Sequence, residues 1–181
     1  MKNYTIYPID QFPWDEGGYR PESFARLARE ADGIHVQLRS RQEQPRCEVT
    51  AYGGPICTDD CLEFFLTPFP ATGLYLNFET NAKGVYHLGL GTGRHGRAVF
   101  QSPAEDVQVT PAQEDGCWGV DVFFARAFFE RWFGQYPEGP MKGNFYKCGD
   151  HTEHPHWGMW TPYATLPQPD FHRPELFNDI L

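Results

Sequence analysis

Proline and glycine interrupt this chain so often that they leave little room for long helices. The sequence has 16 prolines and 18 glycines among 181 residues. Between these breaks, apolar and polar residues alternate, as in Ile34, Val36 and Leu38, which are separated by polar side chains. An alternation with a period of two is typical of a β-strand with one buried face. The pattern therefore predicts many short strands joined by turns.

Two segments show helical spacing instead. In residues 21–31, Phe24, Leu27 and Ala31 recur at intervals of three and four after Pro21, which predicts one short helix. Residues 125–133 predict a helical turn or two with its aromatic residues on the buried side. The remaining segments predict strands, at residues 4–7, 34–38, 47–51, 61–67, 73–79, 85–90, 97–100, 118–124 and 143–148.

Length and organisation favour a single domain. A chain of 181 residues is long enough for one well-buried core and short for two. It contains no internal repeat, low-complexity tract or linker that would mark a domain boundary. We therefore predict one domain over residues 1–181. Its fold class is all-β, an antiparallel two-sheet β-sandwich, jelly-roll-like, with one or two short helices.

Charge and cysteine usage restrict the partners and the compartment. A net charge of -9 opposes attraction to nucleic acid and to anionic membranes, and no run is apolar enough to cross a bilayer. The N-terminal residues lack the apolar segment of a signal peptide, and the five cysteines form an odd set. These features predict a cytoplasmic protein with reduced thiols. The sequence leaves the oligomeric state open.

Two neighbouring predicted strands share a polar face. In the first, Leu62, Phe64 and Leu66 point one way, so that Glu63 points the other way. If residues 67–72 connect this strand to the next, both apolar faces turn to the core. Glu63 then shares a sheet surface with Tyr75, Asn77 and Glu79. The pattern by itself fits a ligand-binding face and also an ordinary solvated face of a sheet.

Three short segments carry a more specific signal: TDDCLEFF at residues 58–65, YLNF at 75–78 and DFHRPELF at 170–177. The first resembles the Trp-x-x-Asp-Ser-Val-Glu-x-Phe strand of family 9 carbohydrate-binding modules, which are often attached to xylanases. The second resembles the Arg-x-Asn-Tyr strand of that family, and the third its closing Ser-Trp-Arg-Asp-Pro-x-x-Phe-Gly segment. As a pattern the likeness extends from residue 19 to the C-terminus. It looks closest to stand-alone relatives of these modules.

The resemblance implies a non-catalytic site for a soluble saccharide or sugar derivative. In the family, a sugar lies between two Trp rings and is fixed by Glu, Arg and Asn side chains. The first Trp falls on Cys57, which has no ring, so a neighbouring ring such as Tyr52, Trp157 or Trp160 would have to replace it. The binding residues that the resemblance implies, with these rings, are Glu63, Tyr75 (at the Arg position), Asn77, Phe171 (at the second Trp), Gln168 (at the preceding Asn), Trp157 and Trp160.

A hydrolytic function is the first alternative. Asp59, Glu63 and Glu79 include carboxyl groups that could serve as the acid and the base of glycoside cleavage.

The segment GTGRHG at residues 91–96 matches the letters of a dinucleotide-binding fingerprint. It is followed by a predicted strand instead of a helix, so it predicts a hairpin turn.

A metal site is the second alternative. Cys148, His151, His154 and His156 offer four metal-ligating side chains in one short stretch. Their spacing matches no known closed zinc motif, and a loop whose histidines bond to its own backbone fits it as well. We predict no cofactor, although the resemblance allows a structural calcium ion for which it assigns no ligands.

Overall fold

Two antiparallel β-sheets packed face to face form the body of the protein. A computed structural model describes residues 2–15, 17–163 and 166–181. Its strands are β1 Thr5–Pro8, β2 Ser23–Glu30, β3 Gly33–Ser40, β4 Cys61–Thr67, β5 Tyr75–Thr80, β6 Tyr86–Gly91, β7 Arg97–Val99, β8 Val107–Glu114, β9 Cys117–Ala125, β10 Met141–Cys148, β11 Trp157–Met159 and β12 Asn178–Ile180, and its helix α1 is Arg126–Phe133. The predicted all-β sandwich with a short helix is confirmed.

The strand order places β4 and β5 inside the larger sheet. The five-stranded sheet has the order β1-β2-β3-β9-β8, and the seven-stranded sheet has the order β11-β10-β4-β5-β6-β7, with β12 paired to β10. The two sheets bury a common core between them, to which β4 contributes Leu62, Phe64 and Leu66. These three side chains face the core because they alternate along one strand, as predicted. No helix among the described residues is long and apolar enough to span a membrane.

The predicted helix at residues 21–31 is wrong, because this segment forms β2. Ala25 and Leu27 are buried, whereas Arg26 lies on the opposite face and pairs with Glu114 across the sheet at 2.8 Å. The buried residues Ser23, Ala25 and Leu27 instead follow a period of two, and Phe24 lies on the other face. Pairing with β1 on one side and β3 on the other completes the backbone hydrogen bonds of a strand. Tertiary pairing therefore overrides the local spacing.

The predicted strand at residues 47–51 is also wrong. The segment has no regular structure, and the amides of Glu48 and Val49 each donate to the Asp59 carboxylate at 2.9 Å. A buried side chain thus satisfies the backbone groups that a neighbouring strand would otherwise satisfy. The strands β8, β11 and β12 lie outside the predicted segments, and β8 contains Pro111, a residue atypical of strand interiors.

The outer face of the seven-stranded sheet carries a second apolar cluster. Phe65, Tyr75 and Tyr146 point outward from β4, β5 and β10, and the C-terminal segment packs over them with Phe171 and Phe177. In a sandwich the outer face of a sheet is normally solvated. The chain after β11 covers part of this face and leaves a recess beside it.

Candidate functional site

A cavity of about 540 Å³ lies in this recess on the outer face of the seven-stranded sheet. Its floor comes from β4, β5 and β6, and its walls come from residues 53–57, from the β6–β7 turn and from the C-terminal segment. The turn lies between Gly91 and Arg97, where two antiparallel strands pair, so the predicted hairpin is confirmed. A volume of this size is within the range of small-molecule sites, roughly 300–1,000 Å³.

Three titratable side chains cross the floor in one row. Glu63 on β4 lies opposite Glu79 on β5, and Glu79 lies opposite His87 on β6. Residues directly opposite each other in a sheet point to the same face, so all three side chains reach the cavity. Their exposed fractions are only 2%, 7% and 8%. The floor is therefore polar yet largely shielded from bulk water.

The Glu63 carboxyl is almost completely buried. The Cys148 thiol donates to its Oε1 at 3.0 Å. Burial, with the nearby negative charge of Glu79, raises the pKa of Glu63 well above its ordinary value. Since a raised pKa favours the protonated form, this carboxyl can donate one hydrogen bond and accept another.

Two buried polar atoms at the floor lack a hydrogen-bond partner among the described residues. Asn77 Nδ2 donates to Glu79 Oε1 at 2.9 Å, but Asn77 Oδ1 has no partner, and neither does His87 Nε2. An unpaired buried polar group costs about 1–3 kcal/mol. His87 lines the cavity, so its Nε2 is positioned to bind a polar ligand, which would remove that cost. Asn77 is fully buried beside the lining residue Glu79.

Gly89 makes the side-by-side placement of Asn77 and Arg97 feasible. It lies opposite Asn77 in the sheet and Val99 on β7. A Cβ atom at this position would lie 3.0 Å from Asn77 Oδ1 and 2.9 Å from Arg97 Cδ. The missing side chain therefore leaves space for an amide and a guanidinium on the same face.

A guanidinium, an imidazole and a phenol form one wall. The Tyr75 hydroxyl lies 2.9 Å from His172 Nδ1, and the Arg97 guanidinium contacts the same ring, with its terminal nitrogen 2.8 Å from His172 Nε2. Burial, together with the positive charges of Arg97 and Arg94, lowers the pKa of His172 to about 2. His172 is therefore neutral at physiological pH, and Arg97 carries the positive charge of this wall.

Aromatic rings form other parts of the wall. Phe171 stacks on Tyr146 with ring centroids 4.1 Å apart and planes 14° apart. Trp157 is half-buried, and its Nε1 donates to Asp150 Oδ1 at 2.8 Å. Both Phe171 and Trp157 line the cavity. Fixed rings beside hydrogen-bonding groups are typical of sites that recognise a ligand with apolar and polar faces.

The structure brings together five of the seven predicted binding residues. Glu63, Phe171 and Trp157 line the cavity, while Asn77 and Tyr75 contact its lining residues Glu79 and His172. Gln168 lies in an adjoining cavity of about 710 Å³, which Trp157 also lines. Trp160 lies apart from both cavities and packs on Tyr7, with ring centroids 4.8 Å apart.

Neither alternative set of residues gathers in one place. Asp59 accepts hydrogen bonds from the 48–49 backbone and from Asn81, and it does not line the cavity that Glu63 and Glu79 share. The proposed metal ligands separate because Cys148 points to the outer face whereas Lys147, its neighbour on the strand, points inward. His156 follows Lys147, with its Nε2 2.6 Å from Lys147 Nζ.

Sequence reasoning missed several cavity residues. These are His87, Arg94, Arg97, Asp150 and His172. His172 lies within the C-terminal motif, which could have indicated it. His87 could have been found from the period of two along β6, which places it on the outer face with Gly89. Arg97 carried no such signal, because only the pairing of β7 with β6 brings it beside Asn77.

The whole chain matches a known protein family. The model of the family described as Carbohydrate-binding family 9 matches residues 1–181. The chain belongs to carbohydrate-binding family 9. No curated protein matches the sequence.

Solved structures share this family 9 fold. A protein from Bacteroides uniformis, to which carbohydrate binding is ascribed, superposes with a TM-score of 0.84 at 27% identity, over 97% of this chain and 85% of that chain. A family 9 module from Caldicellulosiruptor kristjanssonii in complex with glucose gives a TM-score of 0.61 at 10% identity, over 98% and 82%. Its complex with cellotriose gives 0.61 at 10%, over 98% and 80%.

This family 9 chain differs from the motif pattern at two positions at or beside the cavity. At the position of the first stacking Trp, Cys57 lines the cavity without a ring, and Trp157 lines it as well. At the position of the strand Arg, the Tyr75 hydroxyl meets His172, and Arg97 supplies a guanidinium from β7, which lies beyond β6 in the sheet.

Proposed function

We propose that this protein binds a soluble saccharide in the 540 Å³ cavity and leaves it chemically unchanged. The observation that carries the proposal is His87 Nε2 on the cavity floor, which is buried without a partner among the described residues, beside the walls formed by Trp157 and Phe171. Asn77 Oδ1, next to the lining residue Glu79, is in the same state. A sugar ring presents hydroxyl groups around its edge and C–H groups on its faces. It therefore matches both the polar floor and the aromatic walls.

Each group has a defined part in this binding. Protonated Glu63 and the Asn77 amide both donate and accept, which suits hydroxyl groups that do the same. Arg97 donates from the opposite wall, where neutral His172 does not compete as a cation. Trp157 and Phe171 cover the sugar faces and exclude water. Gln168, in the adjoining cavity, is placed to contact a second sugar unit of a longer ligand.

Calorimetric titration with mono- and oligosaccharides tests the proposal. Glucose and cellotriose belong in the panel because the Caldicellulosiruptor module binds them. We expect saturable binding by at least one sugar at millimolar concentration, with no reducing sugar released from the oligosaccharides. A folded protein that binds no member of a broad panel would refute the function, and release of reducing sugar would show that it is an enzyme.

Trp157→Ala should weaken sugar binding by roughly tenfold or more, because it removes the ring face that excludes water from the sugar. Trp157→Phe keeps an aromatic face and should lose much less. The two variants are compared by calorimetry, with circular dichroism as the folding control. Equal affinity of wild type and Trp157→Ala would place the sugar away from this wall.

Glu63→Gln should retain most of the affinity, whereas Glu63→Ala should lose about tenfold. The reason is that burial and Glu79 raise the pKa of Glu63, so the group that meets the sugar is a neutral carboxyl, which an amide imitates in shape and in hydrogen bonding. Both variants are titrated near neutral pH in the presence of a chelator. If Glu63→Gln lost as much affinity as Glu63→Ala, an ionised carboxylate would be required.

A further inference from the structure

Three metal-ligating side chains converge at the floor of the cavity. They are Cys61, Glu63 and Cys148, whose ligand atoms all lie within 4.8 Å of one another. Glu63 Oε1 is 3.0 Å from the Cys148 sulfur and 3.8 Å from the Cys61 sulfur. Cys61 and Cys148 are directly opposite each other on the paired strands β4 and β10. The cluster therefore rests on the two adjoining central strands of the sheet and not on a loop.

The spacing suits a tetrahedral cation. A Zn²⁺ ion with Zn–S bonds of about 2.3 Å and Zn–O bonds of about 2.0 Å holds neighbouring ligand atoms about 3.5–3.8 Å apart. The observed sulfur–oxygen distance of 3.8 Å equals the upper end of this range, and the distance of 3.0 Å lies below its lower end. All three side chains are buried, with exposed fractions of 0%, 2% and 1%, so a bound ion would be shielded from bulk water.

One coordination position remains on the cavity side. Glu63 and Cys148 line the cavity, whereas Cys61 lies behind them. Zinc sites with three protein ligands keep their fourth position for water or a substrate. We propose that Cys61, Glu63 and Cys148 bind a thiophilic divalent cation, Zn²⁺, with its fourth position open to the cavity.

Some surrounding charges oppose ionisation of the three ligands, and others favour it. Two thiolates and a carboxylate exceed the charge of a divalent ion by one unit, and Glu79 and Asp150 add to the negative potential at Glu63. The positive charges of Arg97 and Lys147 oppose this effect, because they favour the ionised forms of Glu63 and Cys61 respectively. Without a cation, burial and these carboxylates favour the protonated ligands, so cation binding displaces protons.

The first test is direct titration of the wild-type protein. The protein is purified with a non-thiol reductant, treated with a chelator and titrated with Zn²⁺, and with Co²⁺ as a spectroscopic probe. We expect one equivalent to bind, with a near-ultraviolet thiolate-to-cobalt band whose intensity corresponds to two thiolates, and a higher unfolding temperature with Zn²⁺. Less than one equivalent, or one equivalent without the thiolate band, would overturn the proposal.

Variants locate the site. Cys61→Ser and Cys148→Ser should each weaken binding by at least about tenfold and reduce the cobalt band. Cys47→Ser and Cys117→Ser are the matched controls, because these thiols lie outside the cluster, and both should bind as the wild type does. His154→Gln should also leave binding unchanged. Loss of binding in a control, with Cys148→Ser unaffected, would place the cation elsewhere.

This inference does not depend on sugar binding. The cation titrations contain no saccharide, and the saccharide titrations contain a chelator, so either result stands without the other. A protein that binds Zn²⁺ and no sugar would refute the proposed function alone. A protein that binds sugar and no cation would refute the cation site alone.

Discussion

Substituting methionine for Lys147 is expected to lower the free energy of unfolding by about 3–5 kcal/mol. The Lys147 side chain is fully buried, and its ammonium lies 2.8 Å from Asp60 Oδ1. It also donates to the Cys148 carbonyl at 3.0 Å and contacts His156 Nε2 at 2.6 Å. Three acceptors thus meet its three donors. Methionine fills similar space but leaves the Asp60 carboxylate buried without its counter-charge.

Denaturant unfolding monitored by circular dichroism measures this loss, and Lys142→Met is the matched control. Lys142 lies on the same strand with 46% of its side chain exposed and an ion pair to Asp179 at 3.6 Å, so its substitution should change stability by less than about 1 kcal/mol. Adding Asp60→Asn to Lys147→Met should recover part of the loss, because it removes the unpaired charge. Additive losses in the double variant would contradict this explanation.

Acid should destabilise the protein through His156. Burial, with the charge of Lys147, lowers the pKa of this buried imidazole to about 4. The unfolded chain binds a proton near pH 6.5. As the pH falls from about 6.5 to about 4, the unfolded state therefore takes up a proton that the folded state does not. This single group should remove about 3 kcal/mol of stability over that range.

Other groups act over the same range of pH, so the measurement is a difference between variants. The pKa of His172 is lowered, which adds to the acid destabilisation, and the pKa of Glu63 is raised, which opposes it. His156→Gln should flatten the pH dependence of the free energy of unfolding by His156's own share. His151 is exposed, so His151→Gln should keep the wild-type pH dependence. Identical curves for wild type and His156→Gln would show that His156 titrates normally in the fold.

Lys147 and His156 also show why the alternative metal site at the histidines does not gather. The sequence places Cys148 and three histidines close together along the chain, but a strand sends consecutive side chains to opposite faces. Lys147 enters the interior with His156 and Asp60, while Cys148 turns outward to Glu63. Nearness in sequence therefore did not produce nearness of ligand atoms.

The sequence by itself determined the fold class and the polar face. The period of two fixes which residues of a strand share a face, so Glu63, Asn77 and Glu79 could be placed together once both apolar faces were assigned to the core. The motifs around Glu63, Asn77 and Phe171 indicated the family, and two of these residues, Glu63 and Phe171, line the cavity. Both inferences rest on local order along the chain, which the sequence records directly.

Only the tertiary structure decided which distant groups complete the cavity. Arg97 lies beside Asn77 through the pairing of β7 with β6, and His172 contacts Tyr75 because the C-terminal segment folds back over the sheet. Cys61 meets Cys148 through the register of β4 against β10. Segment 21–31 likewise became a strand because two neighbours offered it hydrogen bonds. Such contacts depend on strand order and register, which long-range packing sets and local sequence spacing does not encode.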